Sequence, residues 1–308
     1  MKLLLLVLLI LFCILFLSCL LIYLFVFRSP NRTQNDDYAP NPGDQYARVR
    51  EQTVELIDRF HKISFEEVWI TSFDGLRLRG RYHQTAEGAP VALLIHGYRG
   101  TAGRDFCGGA QLAIECGQNV LAVDLRGCGK SGGHTISFGI NETQDCLDWI
   151  RYLADRFGSS CEIYLYGISM GGYTVLRLSG EDLPENVKKI VADSPYNSPE
   201  EIIRDVGHRM AGLPMDLLYP LVRVSAKLFG RLDLRDEKAS DAVRRTKIPI
   251  LIIHGEDDRF VPCRMSLPPA EANPSMVRRE TFPEAGHGLS FLIDRGRYSA
   301  LVREFLAN

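Results

Sequence analysis

The chain has 308 residues, 46% hydrophobic and 24% charged, with a formal net charge of -2. That length is ample for one large domain with a proper core, and the even charge balance points away from nucleic acid as a partner. No internal repeat and no low-complexity tract interrupts it.

Leu3 to Phe27 carries no charge, glycine or proline, and differs in kind from everything after it. Such a run of roughly 25 residues is long enough to cross a hydrocarbon core of about 30 Å. A signal peptide would have a shorter apolar region and a small-residue cleavage site. Here Arg28-Ser29-Pro30-Asn31 ends the run with no Ala-x-Ala pattern. Lipidation at Cys19 is the processing alternative, but bulky Phe16 heads that box and apolar residues continue past the cysteine. The segment reads as an uncleaved single-pass membrane anchor over residues 3–27. Lys2 and the amino terminus flank one end and Arg28 and Arg32 the other, so positive charge does not choose a side.

Residues 28–46, rich in Asn, Pro and Asp, read as a solvated linker, and the folded body runs over 47–308. Nothing before Asp44 is expected to contribute to the core. Within Ala47 to His61, Val49, Val54, Leu56, Ile57 and Phe60 space out an amphipathic helix. Glu67–Ser72 and Leu76–Tyr82 flank an Asp74-Gly75 turn and predict a hairpin.

Beyond it, short apolar runs alternate with helical patterns. Strands are expected over Val91–His96, Asn119–Asp124, Cys161–Tyr166, Lys188–Asp193, Ile248–His254 and Met276–Phe282. Helices are expected over Asp105–Gln118, Glu142–Phe157 and Arg297–Leu306. Apolar strands alternating with helices mean an α/β fold with a mostly parallel central sheet covered on both faces. Residues 198–247 break the rhythm with helix-like segments, Glu200–Met210 and Leu217–Phe229, and no strand. They read as a helical cap insertion that roofs the strand C-terminal ends, the alternative being a distal decoration.

Gly167-Ile168-Ser169-Met170-Gly171 stands between an apolar strand and a packed helix. A serine between glycines at a strand-to-helix corner is a nucleophile elbow, which lifts the hydroxyl above the sheet edge. A serine hydroxyl needs a base, and the base needs an acid to hold its tautomer. After Ser169, one strand runs into His254-Gly255-Glu256-Asp257-Asp258 and the last into Ala285-Gly286-His287-Gly288. His287 is the one histidine in a glycine-flanked loop beyond both, whereas His96 and His254 end strands and read as structural. The six cysteines outside the apolar run form no CxxC pair and no metal-type spacing. Gly127-Cys128-Gly129-Lys130-Ser131 hints at a phosphate loop, yet position 124, where the first glycine belongs, is Asp. No cofactor, metal or nucleotide is expected.

These segments resemble the α/β-hydrolase superfamily from about Ser64 to the C-terminus. The resemblance implies an acid in a His-Gly-x-x-Asp-x-x-Val-Pro segment, a register that selects Asp258, with Asp257 and Asp193 as alternatives. It implies a base at His287, and an oxyanion pocket formed by the backbone N–H groups of Met170 and of Tyr98 in His96-Gly97-Tyr98-Arg99-Gly100. It also accounts for Asp124-Leu125-Arg126-Gly127-Cys128-Gly129-Lys130-Ser131 as a structural loop. The expected activity is carboxylic ester hydrolysis on a small-molecule or lipid-like acyl substrate. Amide cleavage, acyl transfer and a non-catalytic tethered binding protein remain alternatives.

Overall fold

The computed structural model describes residues 1–29, 37–39, 43–235 and 237–308. Eight strands carry it: β1 (Glu66–Thr71), β2 (Arg77–His83), β3 (Val91–Ile95), β4 (Asn119–Val123), β5 (Ile163–Ile168), β6 (Val187–Asp193), β7 (Ile250–Gly255) and β8 (Val277–Phe282). They form one sheet in the order β1-β2-β4-β3-β5-β6-β7-β8. The hairpin β1–β2 and the β2–β4 pair are antiparallel, and every later pair is parallel. β3, β4 and β7 are buried at every residue, as strands covered on both faces must be.

The covers are two hydrophobic layers. On one face Leu56, Leu112 and Val302 come from the helices Arg50–His61, Cys107–Glu115 and Arg295–Ala307. On the other, Trp149, Tyr173 and Val243 come from Ile140–Phe157, Met170–Leu178 and Ala239–Arg245. The strand order reverses at β3, whose two neighbours are β4 and β5, so a crevice opens beyond the carboxyl ends of β3 and β5. That crevice is where an open parallel sheet can present loops from both sides.

The insertion over 198–247 forms helices Pro199–Arg209 and Met215–Ser225, a π turn Ala226–Gly230 and the helix Ala239–Arg245. Its last helix belongs to the sheet cover. Met215, Tyr219 and Val222 join the hydrophobic layer on that face.

Lys2–Phe27 forms one helix, long and apolar enough to cross a membrane, ending in a π turn over Tyr23–Phe27. Its end corrects the expectation that nothing before Asp44 joins the core. Phe27 has no exposed surface, and its ring meets that of Phe138 edge-on at 5.7 Å. Ile136 N–H donates to the Phe27 carbonyl at 2.8 Å, and the Ser225 hydroxyl donates to Cys19 O at 2.7 Å. A run this uniformly apolar shows no face to the eye, so the buried positions within it carry no sequence signal.

The stretch 28–46 is likewise less solvated than expected where it is described; residues 30–36 and 40–42 lie outside the described residues. Ser29 N–H donates to His134 O at 2.8 Å, and the buried Asp37 carboxylate lies 3.1 Å from His61 Nε2. Gln45 Nε2 donates to the Asp257 carbonyl and carboxylate at 3.0 and 2.9 Å.

Truncating a buried phenylalanine costs about 3–5 kcal/mol where the site cannot collapse. Phe27→Ala should therefore lower the unfolding free energy of the detergent-solubilised full chain by about 3 kcal/mol. Phe25→Ala, at a residue 78% exposed, should barely change it. Urea unfolding of both variants checks this; equal small effects would mean that Phe27 is not part of the core.

Candidate active site

Ser169 is the residue between β5 and the helix Met170–Leu178, with φ 57° and ψ -116°. Few side chains tolerate that backbone, and the surroundings enforce it. Its N–H donates to Asp193 O at 2.8 Å, and its carbonyl accepts from Tyr173 N at 3.0 Å. A Cβ on Gly167 would lie 2.1 Å from Gly171 O, and one on Gly171 would lie 1.9 Å from Ile95 O. Both glycines are thus dictated by how tightly the helix start wedges against β3 and β5. Met170, the first helical residue, has an N–H with no partner inside the helix, at the positive end of the helix dipole.

After β3, His96 is fully buried and fixed as the neutral Nδ1–H tautomer: Nδ1 donates to Gly97 O at 2.8 Å, and Nε2 accepts from Leu125 N–H at 3.0 Å. Burial pushes its basicity down, in keeping with a structural role. Gly97 N–H is tied to Asp105 Oδ2 at 2.9 Å and Gly100 N–H to Gly97 O at 3.0 Å. The Tyr98 phenol donates to Val26 O at 2.6 Å, its ring stacks on Phe138 at 5.1 Å, and Arg99 donates to Phe25 O and Arg28 O at 2.7 and 2.8 Å.

Beyond β7, Asp258 turns inward. Its Oδ1 accepts from Phe260 N–H at 2.9 Å and Val261 N–H at 2.8 Å. Its Oδ2 lies 2.7 Å from His287 Nδ1 and 3.3 Å from His254 Nε2. Burial alone would raise this carboxyl, but the two histidines outweigh it and hold it well below the usual carboxylate range. Burial likewise pulls His287 down, and the Asp258 charge and hydrogen bond overcome that, leaving the imidazole above its ordinary 6.5. With Nδ1 committed to Asp258, Nε2 is the nitrogen left to accept a proton.

The rival carboxylates sit otherwise. Asp257 is half-exposed and bonded to Gln45, with Arg259 3.3 Å away. Asp193 ends β6 against the Ser194 hydroxyl at 2.9 Å and the Tyr298 phenol; burial raises it, and those bonds only moderate the rise. The carboxylate that meets His287 Nδ1 is Asp258, not Asp193.

Ser169, His287, Tyr98 and Asp193 line one cavity of about 440 Å³. Asp258 lies behind His287, and Met170 beneath the elbow. From Ser169 the cavity extends between apolar side chains, among them Leu56, Phe106, Leu112, Tyr166, Phe291 and Val302, on the sheet face opposite the insertion. Among the described residues, the insertion reaches the cavity only through Met210. It is not the expected roof; Gly43, Asp44, Gln45 and Tyr46 line the cavity instead, with the Tyr46 phenol donating to His287 O at 3.1 Å. Sequence reasoning missed Tyr46, Gln45 and Asp105. Each is a single polar residue in a one-turn helix, and only the fold brings it to the site.

Comparison with known proteins agrees with this architecture. A family model described as alpha/beta hydrolase fold matches residues 90–221. The chain is similar to Uncharacterized protein YqkD of Bacillus subtilis, 25% identical over 82% of this chain and 83% of that protein. It is also similar to Lysophosphatidylserine lipase ABHD12 of Danio rerio, 30% identical over 57% of this chain and 45% of that protein. Among solved structures, the Pyrococcus furiosus esterase Pf2001 superposes with a TM-score of 0.67 at 22% identity, covering 91% of this chain and 97% of that one. Parallel sheet, elbow and family match agree: the chain has the α/β-hydrolase fold.

Proposed function

We propose that the protein is a serine hydrolase that cleaves carboxylic esters with an apolar acyl group. The observation that carries this reading is the 2.7 Å contact of His287 Nδ1 with the depressed Asp258 carboxylate, in a residue that shares its cavity with Ser169 at a strained elbow. In this reading His287 Nε2 takes the Ser169 proton as Oγ attacks the acyl carbonyl carbon. The resulting oxyanion lies against the backbone N–H groups of Tyr98 and Met170. Collapse breaks the ester C–O bond, and the proton on His287 leaves with the alcohol. Water, deprotonated by the same nitrogen, then attacks the acyl-enzyme and frees the acid and Ser169.

The apolar chamber beyond Ser169 supports an acyl chain as the occupant, since each buried methylene contributes about 0.8 kcal/mol there. The similarity to a protein named as a lysophosphatidylserine lipase points the same way. We also read the N-terminal helix as a retained anchor. Cleavage as a signal would strip Phe27 from the core and remove Val26, whose carbonyl accepts from the Tyr98 phenol.

Ser169→Ala should abolish fluorophosphonate labelling and ester turnover while leaving the melting temperature within a few degrees. Asp258→Asn should cost 10²–10⁴, an order-of-magnitude expectation for losing the charge behind the imidazolium, and Asp257→Asn less than about tenfold. Turnover by the Ser169 variant, or an Asp258→Asn enzyme as active as wild type, would sink the assignment.

The pH profile offers an independent check. Catalysis needs neutral His287, whose affinity for protons is raised, so activity should rise with pH through a limb centred above 6.5. In Asp258→Asn the raising charge is gone, and the residual activity should show that limb at lower pH. A wild-type limb below 6.5 would contradict the proposed pairing.

A further inference from the structure

We infer that the outer face of the helix Met215–Ser225 and the following π turn is a bilayer-facing surface, which sets the cavity mouth at the lipid so that the acyl substrate enters from the membrane. This rests on reading Lys2–Phe27 as a retained anchor. The argument begins with lengths. Only from Lys2 to Leu17 is every residue of the helix exposed, and these 16 residues reach roughly 24 Å at 1.5 Å each. A hydrocarbon core is about 30 Å thick, and any tilt deepens the shortfall. The rest of the span must come from Ser18–Phe27, which is already packed against the body.

What packs there is the insertion. Phe229 meets Phe16 at 5.4 Å and Tyr23 at 5.8 Å between ring centroids, and Ser225 holds Cys19 O at 2.7 Å. Phe16 lies eleven residues before Phe27, so Phe229 sits roughly 16 Å up the helix from its domain end. A side chain at that height on a membrane-spanning helix is at membrane depth.

The same helix is apolar on two faces. Met215, Tyr219 and Val222 point into the core. Leu217, Pro220, Val224 and Leu228 follow at spacings of three and four, and all are exposed, Leu217 by 77% and Leu228 by 60%. In water that outer stripe is unpartnered; beside the anchor it continues the anchor's own exposed row of Leu21, Leu24 and Phe25. Exposed Lys227, Arg231 and Arg235 border it and suit lipid headgroups. Asp216, next to Leu217, and Asp233 are opposing charges, paired with Arg204 at 3.0 Å and with Arg235 at 3.1 Å. Met210, 57% exposed at the end of the preceding helix, and Tyr98, whose phenol holds Val26 O at 2.6 Å, both line the cavity that holds Ser169, so the insertion and the end of the anchor each reach that cavity.

The test uses the full chain in lipid nanodiscs containing bromine-labelled phosphatidylcholine, with the half-buried Trp69 replaced by phenylalanine. Leu217→Trp should lose about twofold or more of its emission to the bromines, as expected for a side chain sunk roughly 5–10 Å into the interface. Glu87→Trp, in the exposed loop between β2 and β3, should not be quenched. A Leu217→Trp signal no more quenched than that of Glu87→Trp overturns the inference and leaves a protein partner or a second copy of this chain to cover the stripe. Leu217→Asp combined with Leu228→Asp should lower turnover of a long-chain p-nitrophenyl ester dissolved in the bilayer about tenfold, and spare a water-soluble short-chain ester. Equal effects on both esters likewise overturn it. A wild-type chain that cleaves neither ester removes the hydrolase reading, while the quenching measurement still decides the surface. A chain not retained in the nanodisc removes the anchor and this surface together.

Discussion

Everything at the centre of this molecule depends on a contact with no room in it. The first turn of the helix Met170–Leu178 presses so close to the ends of β3 and β5 that a methyl group on Gly167 or Gly171 would overlap a backbone atom. Ser169 absorbs the cost as a left-handed backbone. That close approach sets the height of the serine above the sheet, aims the Met170 N–H, and fixes the spacing to the loop after β3. The β3 loop, β6 and the His287 loop are built around a corner that cannot relax.

Two hydrogen-bonded supports meet at that corner. Asp105 holds Gly97, and the fully buried His96 ties the loop to Leu125, so the loop after β3 is fastened to the strand and helix that follow it. On the other side, two backbone N–H groups hold Asp258 Oδ1, and Oδ2 meets His287 with His254 3.3 Å away. Each polar group is satisfied by a neighbour that is itself held, which is how a buried carboxylate stays ionised behind an imidazole.

Much of this was legible in the sequence, for an identifiable reason. Strands buried on both faces leave unbroken apolar runs, so β3 to β7 show themselves, and the chemistry of a parallel sheet gathers at the residues just past those runs. Ser169, Asp258 and His287 all stand there. Tyr46 and Gln45 do not; they reach the site from over 200 residues away in a stretch that looks like linker. The buried side of Cys19 and Phe27 was hidden for the opposite reason, since a helix apolar on every side gives no contrast to read. The insertion was visible as an insertion, but the side of the sheet on which the cavity opens is a matter of packing.

The contacts of Tyr98 and Arg99 with Val26, Phe25 and Arg28 have a consequence of their own. An apolar helix ends with carbonyls that its own backbone cannot satisfy, and each left bare among apolar groups is costly. Here the cap comes from another part of the chain, and it comes from the loop beside Ser169. Arg99 spans two of those carbonyls with one nitrogen of a planar fork, a geometry that a lysine's single flexible ammonium does not preset. The identity of residue 99 is thus fixed by how an apolar helix is terminated, although its neighbours belong to the chemistry.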